Sequence, residues 1–109
     1  MSGTLQTPRI RVPRSARPGE AVEIRTLIEH PMETGLRLEG GRTVPRDLLN
    51  RMVVRVNGEV ALQAELRNGS SANPYHVFFL RLDRTSDLEF TFTDERGRSA
   101  RSTARVTVG

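Results

Sequence analysis

Side chains able to do chemistry are few in this sequence, and their spacing serves it poorly. His30, His76 and Glu33 are the natural metal-ligand candidates. His30-Pro31-Met32-Glu33, however, reads as a loop, and a loop cannot present two ligands one helical turn apart as a zinc-binding HExxH helix does. His30 fits better as a partner for backbone groups, and Glu33 as a cap or the partner of a nearby arginine. A Ser–His–Asp set can be drawn from Ser70 or Ser71, His30 or His76, and Asp47 or Asp94. Without a Gly-x-Ser-x-Gly elbow to expose the serine, Ser70 and Ser71 read as turn residues. Gly40-Gly41 lacks the Lys-Ser/Thr that completes a phosphate loop. The 109 residues include no Cys, so this chain offers no thiolate ligand, disulfide or covalent sulfur adduct of its own. No catalytic, cofactor-binding or metal-binding set is expected.

The elements that would position any site must fit one small body. A chain of about 100 residues makes one domain and buries roughly two thirds of its unfolded surface, which suffices for a single two-layer core. All 17 basic residues are Arg, against 13 acidic residues. Arg9, Arg11, Arg14 and Arg17 precede the first acid, so 17 − 4 leaves 13 Arg against 13 acids from residue 19 onward. The excess of +4 thus sits on the N-terminal arm. The five aromatics (Tyr75, Phe78, Phe79, Phe90 and Phe92) fall in strand-like runs that also need core residues. This pattern argues against a nucleic-acid partner, which would want a basic face carrying stacking rings. No apolar stretch approaches the ~18 residues of a membrane span, and the first residues carry neither a basic nor an apolar signal region. Composition alone leads to the expectation of a cytoplasmic chain with no membrane insertion.

Residues 1–8 read as a flexible arm, and 9–109 as one domain. Ile10 and Val12 alternate with arginines in a short strand closed by Pro13, which suits an edge. A second strand is expected over 21–29, and a long connection over 30–45 with Gly35, Gly40 and Gly41. Arg46 to Val53 fits helical and strand spacing equally, and is read as a turn entering a strand that uses Met52, Val54 and Val56. Asn57-Gly58 is a strong hairpin signal, because a type I′ turn needs positive φ at both central positions. Further strands are expected at 60–66, 75–82, 88–93 and 100–108, with a second loop at 67–74. Seven short strands separated by turn signals, with no long helix, predict an all-β, immunoglobulin-like antiparallel β-sandwich.

One strand breaks the half-apolar rule of a sandwich. In 75–82, Phe78, Leu80 and Leu82 occupy one parity while Tyr75, Val77 and Phe79 occupy the other. A monomer seldom leaves such a second apolar face open, so a cover is expected. The 30–45 loop or the N-terminal arm is one candidate cover; a partner subunit is the other.

Several segments, read together, carry a resemblance. Arg9-Ile10-Arg11-Val12-Pro13, His30-Pro31-Met32-Glu33-Thr34-Gly35, Pro45-Arg46, Ser71-Ala72-Asn73-Pro74-Tyr75 and Phe90-Thr91-Phe92-Thr93-Asp94, in this order over about 9–108, resemble the SoxZ family. This is the small subunit of the SoxYZ carrier of bacterial thiosulfate oxidation. The resemblance implies an immunoglobulin-like sandwich paired with SoxY, whose tail cysteine carries the sulfur intermediate while other Sox proteins load, oxidise and hydrolyse it. It also implies no catalytic residues here, and a periplasmic complex exported by the signal on SoxY.

With that resemblance, Tyr75, Val77 and Phe79 become candidates for the face that packs on SoxY. The loops bearing His30, Pro31 and Met32 and bearing Asn73 and Pro74 are placed beside it, shaping the subunit contact or a docking surface for other Sox enzymes. The alternative for each loop is a self-contained turn stiffened by Pro31 or Pro74, with Asn73 bonding local backbone and Met32 filling a gap beneath its loop. Two other classes stay open at this stage: an unrelated immunoglobulin-like accessory module, and an enzyme or metal protein.

Overall fold

A computed structural model describes residues 7–29, 35–44, 48–65 and 75–109. These form ten strands and no helix: β1 (Arg9–Arg11), β2 (Ser15–Ala16), β3 (Glu20–Leu27), β4 (Leu38–Glu39), β5 (Arg42–Thr43), β6 (Leu49–Val56), β7 (Glu59–Glu65), β8 (Tyr75–Leu82), β9 (Ser86–Asp94) and β10 (Ser99–Val108). All seven expected strands are present; the additions are the two-residue pieces β2, β4 and β5. The 30–45 connection therefore carries a small hairpin, β4–β5.

Two sheets face each other. One has the order β1-β3-β8 and the other β2-β10-β9-β6-β7. Every pairing is antiparallel except that of β2, which runs parallel to β10. The core lies between them. Val22 and Ile24 on β3, Met52 and Val54 on β6, Leu88, Phe90 and Phe92 on β9 and Val106 on β10 are all at most 3% exposed.

Volume matching explains why the weakly apolar β10 belongs in this core. Its inward residues Ala100, Ser102 and Ala104 lie opposite Phe92, Phe90 and Leu88, so small side chains leave room for large ones. The one hydroxyl in that row is satisfied, since Ser102 Oγ donates to the Pro8 carbonyl at 2.6 Å.

Two polar devices fix the strand ends. Asn57 (φ 51°) and Gly58 (φ 87°) both take positive φ, as the type I′ hairpin between β6 and β7 requires. Asn57 Oδ1 also accepts from the Asp87 N–H at 2.9 Å, and its Nδ2 donates to Ser86 Oγ at 3.3 Å. At the other end Asp94 is buried. Its Oδ1 accepts the N–H groups of Arg96 and Arg98, and its Oδ2 accepts the Arg98 Nε–H at 2.7 Å. The burial cost of this carboxylate is thereby offset in the β9–β10 turn. Asp94 is thus committed to structure and is not free for a catalytic triad.

Candidate functional site

The outward face of the β1-β3-β8 sheet follows from register. Val22, Ile24 and Thr26 point into the core, so Glu23, Arg25 and Leu27 point out. Their partners share that face: Leu27 lies between Arg9 and Tyr75, Arg25 between Arg11 and Val77, and Glu23 beside Phe79. The result is an apolar stripe along β8, with Arg25 one strand spacing or about 5 Å away on β3 and Arg9 and Arg11 two spacings or about 10 Å away on β1.

Tyr75, Val77 and Phe79 are 55%, 47% and 61% exposed in the chain alone. The strand is apolar on both faces, as its sequence indicates, and among the described residues the second face is left open. β8 is also an edge. Among the described residues it pairs with β3 only, over eight residues in unbroken register. Natural edge strands are usually short, bulged, interrupted by Pro or charged, because an open apolar edge invites association. β8 has none of these defences until Arg81.

The loop candidates His30, Pro31, Met32, Asn73 and Pro74 lie outside the described residues, as do Glu33, Asp47, Ser70 and Ser71. The described chain leaves β3 and enters β8 at one end of the sheet, where Leu27 is paired with Tyr75.

His76 points inward, across from Thr26. Its ring packs obliquely on Phe92 with centroids 6.5 Å apart, and burial pushes its pKa below the usual 6.5. Among the described residues no three His, Asp or Glu side chains gather as a metal site would need.

One feature was not legible from composition. The sequence places the arginines of β1 on a basic arm, whereas in the structure they share a sheet face with Arg25. Their alternation in Arg9-Ile10-Arg11 was the available signal, but it needed the β1–β3 register to become a site.

The family model described as sulphur oxidation protein SoxZ matches residues 10–105. The chain belongs to the SoxZ family. Its fold is shared with solved structures at low identity. A superoxide reductase (neelaredoxin) from Ignicoccus hospitalis superposes with a TM-score of 0.75 at 15% identity, covering 96% of this chain and 82% of that one. The sulfur carrier protein SoxY from Chlorobium limicola f thiosulfatophilum gives 0.64 at 14%, covering 94% and 79%. A putative superoxide reductase from Thermotoga maritima gives 0.69 at 12%, covering 94% and 86%. At these identities the likeness speaks for the fold alone. No curated protein matches the sequence. Membership of the SoxZ family places the chain in sulfur oxidation.

Proposed function

We propose that this chain is the non-catalytic subunit of a heterodimeric sulfur carrier, and that it pairs with SoxY through the outward face of β8. The observation that carries this reading is the open apolar edge of Tyr75, Val77 and Phe79 in a chain of the SoxZ family. Covering half-exposed side chains of this size contributes about 1 kcal/mol each, and aromatic residues are enriched in the cores of such interfaces. The thiol comes from SoxY, because this sequence has no Cys.

A carrier whose reactive group sits on a mobile tail must visit several enzymes. The rigid sandwich supplies the body that presents the tail and a surface on which other Sox enzymes dock transiently. The pair works in thiosulfate oxidation in the periplasm, and the chain is exported together with a signal-bearing SoxY.

Co-expression with a tagged SoxY tests this. The expected result is co-purification at 1:1 native mass, lost on Phe79→Asp. A chain that purifies alone, with SoxY present and folded, refutes the pairing.

A further inference from the structure

The arginines beside the apolar stripe set a second requirement on whatever covers this face. Arg11 and Arg25 are directly opposite on β1 and β3, and like charges in that relation repel. Arg25 is partly neutralised by its hydrogen bond to Glu23. Among the described residues Arg9 has a loose, exposed contact with Glu29 at 3.8 Å. Arg11 is exposed and has no ion pair among the described residues. With Leu27 and Tyr75 these three arginines surround a shallow concavity of about 140 Å³. Among the described residues, the outward rows of the paired strands hold Arg9, Arg11, Arg25 and Arg81 against Glu23, with Glu29 just beyond the end of β3 reaching Arg9.

We infer that the Arg9–Arg11–Arg25 concavity is the acid-recognising half of the partner interface, taking Asp or Glu side chains that the partner presents beside the apolar strip seated on β8. The inference rests on the pairing proposed above and adds the chemistry of the partner's surface. A carboxylate between Arg11 and Arg25 converts a repulsive cross-strand pair into a bridged one, and guanidinium groups suit it because they can hold a carboxylate by two parallel hydrogen bonds. The apolar stripe supplies contact area, and the arginines supply register and speed of encounter. The partner's face is accordingly amphipathic, with apolar residues one to two strand spacings, about 5–10 Å, from an acidic row.

The test is the affinity of the chain for SoxY as a function of salt, for the wild type, Arg11→Glu, Arg25→Glu and, as a charge-matched control on the other sheet, Arg51→Glu. The inference expects Arg11→Glu and Arg25→Glu each to weaken binding by about tenfold or more and to flatten its salt dependence, with Arg51→Glu close to wild type. Thermal melts of each chain alone separate misfolding from lost recognition, and Arg11→Gln, which removes the charge without reversing it, is expected to fall between wild type and Arg11→Glu. Binding that is unaffected at Arg11 and Arg25 overturns the acid-recognising role and leaves the β8 pairing standing. Equal losses for all three charge reversals overturn it too, since they would report net charge only. If thiosulfate alone shifts the Arg11 and Arg25 side-chain resonances while both variants still bind SoxY normally, the concavity is a small-oxyanion site and the inference fails. No binding of the wild type by SoxY refutes the pairing itself.

Discussion

Thr26 and His76 face each other across β3 and β8, and among the described residues neither Thr26 Oγ1 nor His76 Nδ1 has a hydrogen-bond partner. Two inward polar groups thus sit side by side at the end of the sheet where the open stripe begins. The protonation of the imidazole follows from this setting. Burial disfavours its charged form, so its pKa lies below 6.5 in the folded chain.

A pH dependence follows. Above about pH 6.5 the imidazole is neutral in both the folded and unfolded chain. As pH falls from 6.5 toward the lower folded value, the unfolded chain takes up a proton that the folded chain resists. Stability contributed by keeping His76 neutral is therefore lost with acidification through that window. The thermal midpoint is expected to drop between about pH 7.5 and pH 5 by more in the wild type than in His76→Gln. A histidine titration followed by NMR, assigned with the same variant, is expected to give a midpoint below 6.5.

Asn57 combines a turn conformation with two hydrogen bonds to the start of β9. Asn57→Ala strains a positive-φ position and removes both bonds, with an expected loss of about 2 kcal/mol. Asn57→Gly keeps the conformation and loses only the bonds, so about 1 kcal/mol is expected. Urea unfolding of both variants measures the difference, and equal losses would mean that the conformation is unimportant.

Breaking the Asp94–Arg98 pair should cost more. Asp94 is buried and Arg98 keeps only 21% of its side chain exposed, so Asp94→Ala removes the carboxylate that two backbone N–H groups and the Arg98 guanidinium share. The expected loss is about 3 kcal/mol, with a lowered melting temperature and faster amide exchange in the 94–98 turn. A variant as stable as the wild type would show that water replaces the carboxylate.

Phe79→Asp separates the stripe from the core. Phe79 is 61% exposed, so the stability of the isolated chain is expected to change by no more than about 0.5 kcal/mol, while SoxY binding is lost. Phe90→Ala is the contrasting variant. Phe90 is fully buried in the core, and its truncation is expected to cost about 3–5 kcal/mol.

Much of this fold was legible because period-two alternation carries it. Leu88, Phe90 and Phe92 announce β9, and Tyr75 to Leu82 announces a strand apolar on both faces. Asn57-Gly58 gave its turn outright. The small β4–β5 hairpin was missed because Leu38 and Glu39 bury nothing and so leave no periodicity. The role of Asp94 was also hidden, since a turn aspartate looks the same in sequence whether or not an arginine four residues on folds back to it. The arginine concavity depends on pairing between segments 14 residues apart or more, Arg11 with Arg25 and Leu27 with Tyr75. Local patterns do not encode such register. The loop candidates from His30 to Met32 and at Asn73 and Pro74 fall outside the described residues.

The central claim is that SoxY covers the outward face of β8. Backbone hydrogen exchange of the chain, alone and bound to SoxY, tests it most directly. The largest slowing is expected in peptides spanning Tyr75–Leu82, with a smaller effect at Arg9–Arg11 and little change in β7. A stable complex whose protection falls on the five-stranded sheet, leaving β8 exchanging as in the free chain, would contradict it.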